Sequence, residues 1–276
     1  MVRSLAVSAA ILAAIVFSGC SSTPPETLTP TDWLRENSSV LRDLESFEKR
    51  RQQQAVVRLK SLGPDRGSAV VIALLVDSQV DYRGEVLLAR LLAEWRDSRG
   101  IRYLLKYLRH EDQGAIEIAS QGLLAFEGNR AVIRALLEML EGPSVRQRQA
   151  AAGVLSGMGS EEMLELFPKL YPKESEKMVR GIFVRTVLGS KHSRRDEFLI
   201  EALMDTDQAI REMAWGALKK RPRLPEVRYD PAAAEVARAR AVDSLRRWLG
   251  GNGGERLYPG GLIKAARWVL MSHCFL

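Results

Sequence analysis

Residues that carry chemistry are scarce in this chain. Its 276 residues include three histidines, His110, His192 and His273, and none has a second ligand three or four positions away. Metal centres need clustered ligands, so each histidine reads as a surface or tail residue. The two cysteines, Cys20 and Cys274, make no disulfide framework once Cys20 takes the role argued below. No glycine-rich loop leads into a helix as a phosphate cradle would require. Gly142-Pro143-Ser144 and Gly159-Ser160-Glu161-Glu162 read as helix caps, because a nucleophile elbow needs a preceding strand and a glycine on both sides of its serine. Nor is charge of one sign concentrated. The net charge of +7, or +6 without Arg3, is spread over interleaved acids and bases. A nucleic-acid partner asks for one basic face, so none is expected.

What the chain does have is a period. The apolar quartets Ile101/Leu104/Leu105/Leu108, Ile133/Leu136/Leu137/Leu140 and Met163/Leu166/Phe167/Leu170 each have the spacing that lines one face of an α-helix. They begin 32 and then 30 residues apart. Between them lie Ala-rich helices with an arginine near the start of most: Arg83, Arg146, Arg180 and Arg211. With Ala115 at the position lacking one, the steps are 32, 31, 34 and 31 residues. Two helices per copy at this period predict an all-α, right-handed α-solenoid of about five to six helix pairs. Apolar residues at 46% suffice for a core, and 27% charged residues exclude bulk disorder.

Arg3 followed by the apolar run 5–17 reads as an export signal over residues 1–19; thirteen residues are too short to span a bilayer comfortably. Phe17-Ser18-Gly19-Cys20 resembles the lipobox of bacterial lipoproteins. The resemblance implies diacylglycerol on the Cys20 sulfur, cleavage before it and N-acylation, with no other cofactor. Ser21 in place of aspartate implies the periplasmic face of the outer membrane. Residues 20–32, rich in Pro, Thr and Ser, read as a tether lifting the folded part about 35 Å from the bilayer.

Helical pattern begins at Trp33, and Gly63-Pro64 marks the end of a helix. The unbroken apolar run 69–76 is read as the second helix of a first pair over 48–77, with a strand as the less favoured alternative. Further pairs are expected at about 81–110, 113–142, 144–172 and 176–206, with a first helix at 207–220. Pro168 is expected to kink its helix.

Val145-Arg146, Ala150, Ala151 and Leu155-Ser156-Gly157-Met158-Gly159 resemble the bacterial HEAT repeat of the phycocyanobilin-lyase-like type, and Asp207-Gln208-Ala209-Ile210-Arg211 resembles its Asp-x-x-Val-Arg turn. The resemblance covers about 48–220 and supports a HEAT-like solenoid over 33–220. It implies that Arg83, Arg146, Arg180 and Arg211 form a structural ladder: Asp205 or Asp207 with Arg211, and Glu174 or Glu176 with Arg180. Tyr229-Asp230-Pro231, Arg238 and Trp248 resemble a closing segment of such proteins. Residues 221–250 are therefore expected to cap the array, with Asp230 capping a helix that starts at Pro231, and Val236, Ala241, Leu245, Trp248 and Leu249 covering its end. For the Gly-rich linker and tail at 251–276, three readings stay open: a docked helix, an unordered tail, or a stretch that departs from the family.

Function is then expected from shape. Arg102, Tyr103, Lys106 and Arg109, near Arg134, Glu138 and Glu141 and flanked by Tyr107, form a candidate concave face for an acidic peptide or glycan, although a solvated helix face has the same composition. The expected role is a membrane-anchored, non-catalytic scaffold or adaptor for protein partners in the bacterial envelope. The alternatives are a structural envelope component using its convex face or tail, and a lyase-like enzyme accessory.

Overall fold

The structure, a computed structural model, describes residues 29–77, 80–222 and 224–250. The expected signal segment, Cys20, most of the tether and the tail 251–276 with His273 and Cys274 lie outside them. Among the described residues every regular element is helical: fifteen α-helices and three short 3-10 helices, with no strand. Two compact units divide between Gln79 and Val80.

The first unit holds α1 (Pro30–Glu36), α2 (Ser39–Leu44), α3 (Lys49–Lys60) and α4 (Gly63–Val76). Helix starts before Trp33, because Thr29 accepts the Asp32 N–H and Pro30 occupies the first turn, where its missing N–H costs nothing. Residues 69–76 lie inside α4, which excludes the strand alternative. Gly63 has φ +73°, so the turn after α3 reaches the left-handed region there, and Pro64 follows in the first turn of α4. α1 and α3 both pack on α4, and α2 on α3. Trp33, Val40, Leu44, Leu59, Val71 and Leu74 are buried.

The second unit holds α5 (Tyr82–Glu94), α6 (Ile101–Tyr107), α7 (Gln113–Leu123), α8 (Arg130–Leu140), α9 (Val145–Gly157), α10 (Glu162–Glu165), α11 (Phe167–Leu170), α12 (Lys177–Gly189), α13 (Arg195–Ala202), α14 (Gln208–Leu218) and α15 (Glu235–Trp248). α5, α7, α9, α12 and α14 pack one on the next, with α6, α8, α10, α13 and α15 against them or their neighbours. The quartets supply this core: Leu104, Leu108, Leu136, Leu140, Met163 and Phe167 are buried. The Phe167 ring stacks on Tyr171 at 4.4 Å and Phe198 at 4.6 Å, and meets Phe183 edge-on at 5.9 Å. The expected kink at Pro168 is a break, with α10 ending at Glu165 and α11 starting at Phe167.

Two local signals recur at nearly constant spacing. The N-cap residues Glu48, Asp81, Asp112, Ser144, Glu176 and Asp207 stand 33, 31, 32, 32 and 31 residues apart. Left-handed residues fall in the turn within a pair at Gly63, Arg96, Gly128 and Gly159, in steps of 33, 32 and 31. Arg96 is the single non-glycine among the described residues to hold that conformation.

The closing segment differs from expectation. α15 begins at Glu235, four residues beyond Pro231, with Ala234 as its N-cap. Asp230 instead stabilises a turn, accepting the Ala232 N–H at 2.9 Å. Ala241 and Leu245 are buried, but Val236 is 65% exposed. At 100° per residue, Val236 lies half a turn away from Leu245 and cannot share its face.

Candidate functional site

Among the described residues, a row of guanidinium groups runs along the starts of successive helices. Arg148, Arg180 and Arg211 each sit four residues after an N-cap: Ser144, Glu176 and Asp207. Each turns back to the two carbonyls just before its own helix. Arg148 Nη1 donates to Gly142 O and Pro143 O at 3.1 and 3.0 Å, Arg180 Nη1 to Glu174 O and Ser175 O at 3.0 and 2.7 Å, and Arg211 Nη1 to Asp205 O and Thr206 O at 2.7 and 2.9 Å. These loop carbonyls have no helical partner, and the guanidinium supplies one.

The other edge of each guanidinium reaches forward to the next loop. Arg148 meets the Glu174 carboxylate in a bidentate pair at 2.7 and 2.9 Å, Arg180 meets Asp205 at 2.8 and 3.0 Å, and Arg211 Nε donates to Pro231 O at 2.8 Å. Glu174 and Asp205 thus serve two arginines each, by side chain to the preceding one and by main chain to the following one. The line runs unbroken from Arg148 through Glu174, Arg180, Asp205 and Arg211 to Pro231. Tyr171 Oη donates to Asp205 at 2.6 Å, and Tyr229 Oη to Leu203 O.

Burial alone would raise the Asp205 carboxyl, but hydrogen bonds from Arg180, Tyr171 and the Asp207 N–H outweigh it and hold it below its ordinary value. Glu174 behaves the same way, burial being overcome by Arg148 and the Glu176 N–H. Burial, then the Asp205 partner, drives the Tyr171 hydroxyl far up, so it stays a donor.

The arginines singled out in the sequence fall unevenly on this row. Arg180 and Arg211 belong to it, but Arg180 pairs with Asp205 while Glu174 offers it a carbonyl. Arg211 takes main-chain oxygens only, and the Asp207 carboxylate caps α14. Arg146 is exposed and donates to Glu111 O at 2.6 Å; the inward position two residues on belongs to Arg148. Arg83 pairs locally with Asp81 at 2.7 Å. Aligning on the cap residues rather than on the Ala-rich helices places the row at Glu85, Ile116, Arg148, Arg180 and Arg211, in steps of 31, 32, 32 and 31. That alignment is the signal that finds Arg148.

The candidate binding face is partly tied down. Arg102 stacks over the Tyr103 ring at 4.6 Å and donates to its hydroxyl. Lys106 pairs with Glu85 at 2.7 Å. Tyr107 does not flank this surface: it is 1% exposed, and its hydroxyl donates to Glu85. Arg109, Arg134 and Glu138 are exposed, and their side chains make no ion pair or hydrogen bond among the described residues. Glu141 pairs with Lys169.

His192 is not a surface residue. It is buried, stacked on Phe198 at 5.4 Å, with Nε2 2.9 Å from Glu165 and Nδ1 accepting the Arg194 N–H. His110 stacks on Tyr82 at 4.7 Å, and its Nδ1 accepts the Asp112 N–H. Both rings organise the loop in front of a helix. Among the described residues no three His, Cys, Asp or Glu side chains are grouped to hold a metal ion. No helix there is long and apolar enough to cross a membrane.

Comparison with known proteins finds no family model and no curated protein that matches the chain.

Proposed function

We propose that this protein is a lipid-anchored α-solenoid of HEAT-like helix pairs that acts as a non-catalytic scaffold or adaptor for protein partners in the bacterial envelope. The observation that carries the reading is the shared use of Glu174 and Asp205. Each ties two successive helix pairs into one line, which suits a stiff surface for holding a partner. Acyl chains on Cys20 would hold the chain to the membrane, since two or three chains make release slow. The periplasmic face of the outer membrane follows from Ser21. The surface nominated for the partner is that of Arg102, Arg109 and Arg134, of which the last two are free to pair with an acidic peptide or glycan.

The test has two arms. Cys20→Ala should abolish labelling with a fatty-acid analogue and release the protein from membranes; persistent labelling overturns the anchor. A photocrosslinker beside Arg134 should capture one protein in the native host, and Arg102→Ala/Arg109→Ala/Arg134→Ala should lose it at unchanged melting temperature. Equal capture by both overturns the assignment of this face.

A further inference from the structure

A groove of about 710 Å³ in the second unit joins an apolar floor to a cationic rim. It is lined by the last turn of α12, the loop into α13 and the second half of α14. Leu188 and Met213 in its floor are half-buried and packed against the core. Gly216 keeps the middle of that floor open. A Cβ there would meet nothing within 4 Å, whereas one at Gly122 or Gly157 would stand 2.9 or 2.8 Å from a leucine side chain. Close packing accounts for those two glycines but not for Gly216, which weakens its helix relative to alanine and leaves room for a guest side chain.

Charge along this groove is unbalanced. Lys191, Arg195, Lys220 and Arg221 line it against one acid, Glu212. Asp196 is shared by two of these cations, Arg195 Nη1 at 3.3 Å and Arg221 Nη2 at 2.6 Å, so one carboxylate serves two guanidinium groups. Lys191 and Lys220 are exposed, and their ammonium groups make no ion pair or hydrogen bond among the described residues. The chain's own C-terminal segment repeats this sign, since residues 251–276 carry Glu255 against Arg256, Lys264 and Arg267. The complementary charge therefore comes from another molecule. A phosphate would need the cations alone; the apolar floor beside them favours a peptide. We propose that this groove binds an acidic segment of a partner protein, laying an apolar side chain over Gly216 and Met213 and bringing carboxylates to Lys191 and Lys220. This does not depend on the membrane anchor or on the face around Arg134.

A random dodecapeptide library displayed on phage and selected on the full chain supplies the probes. The expected peptides combine acidic residues with a large apolar one, and bind at least about tenfold more weakly to Lys191→Glu/Lys220→Glu and to Gly216→Leu. Gly216→Leu fills the floor without touching the charge and should melt no lower than the unaltered protein. Both lysines are exposed, so their replacement decides the matter should Gly216→Leu not fold. Arg134→Ala should bind the same peptides unchanged, which separates this groove from the face nominated above. Recovery of no acidic peptide overturns the proposal, and so does binding that both groove variants leave intact. Binding of phosphatidylglycerol vesicles, lost in both variants while no peptide is recovered, would make the occupant a membrane and equally overturn it.

Discussion

The Arg180 guanidinium and the Asp205 carboxylate meet edge to edge, Nε to Oδ2 at 2.8 Å and Nη2 to Oδ1 at 3.0 Å, where only 10% of one side chain and 1% of the other reach solvent. A pair this buried adds little over an apolar replacement of both members, because desolvation offsets attraction. Removing one member is a different matter, since it strands the other.

Asp205→Ala should therefore destabilise the protein by about 3–5 kcal/mol. It leaves Arg180 without its carboxylate and the Tyr171 hydroxyl without its acceptor. Urea unfolding checks this. A loss below about 1 kcal/mol would mean that water replaces the carboxylate at no cost.

Acid should weaken the same row. Glu174 and Asp205 both titrate below their ordinary values of 4.5 and 3.8 in the folded protein. The unfolded chain then binds more protons, so their contribution is full above those ordinary values and is lost as pH falls through the depressed folded ones. Stability measured from pH 6 to 2.5 should decline below about pH 4.5. The decline should be shallower in Asp205→Asn, which has no proton to take up at that site.

Arg146 and Arg148 are two residues apart and should respond differently. Arg148→Ala removes a bidentate pair in which the side chains are 14% and 6% exposed, together with two loop hydrogen bonds. A loss of about 2–3 kcal/mol is expected. Arg146→Ala removes one surface hydrogen bond and should stay within about 0.5 kcal/mol. Equal melting temperatures for the two variants would contradict the register of the row.

Two glycine substitutions probe the packing. A Cβ at Gly100 would stand 2.9 Å from Leu92 Cβ and 3.0 Å from Ala89 O, neither of which is the free end of a flexible side chain. Gly100→Ala should cost about 1–3 kcal/mol. Gly153 lies exposed within α9 with nothing within 4 Å of such an atom. Gly153→Ala should stabilise by about 0.5–1 kcal/mol, as alanine does in a helix interior. Thermal unfolding of both variants separates the two outcomes by sign.

The period and the helical class were legible because they depend on near neighbours. Apolar residues at i, i+3, i+4 and i+7 must share a helix face, and caps such as Asp112, Asn129 and Ser144 satisfy N–H groups two or three residues away. The candidate binding face was legible only in part. Helical spacing marked Tyr107 as a neighbour of Arg102 and Lys106, but whether its ring met solvent or core depended on α5 and Glu85, more than twenty residues away in the chain. Val236 failed for a local reason: the start of α15 at Glu235 turned it to the opposite side from Leu245.

What the sequence alone determined, then, is the all-helical build and a step of just over thirty residues, since both follow from short-range geometry. What only the tertiary structure decided is which arginine turns inward and which acceptor it finds. Arg146 and Arg148 have the same chemistry and lie two residues apart at the start of one helix, on different sides of it; the choice between them is made by Glu174, brought up from the next loop. Partners 25 or 26 residues apart, such as Arg180 with Asp205, meet only after an intervening helix has turned the chain back. A carboxylate held at 2.7–3.0 Å is selected by that packing, because several acids near each arginine satisfy the sequence pattern and only one in each loop stands within reach.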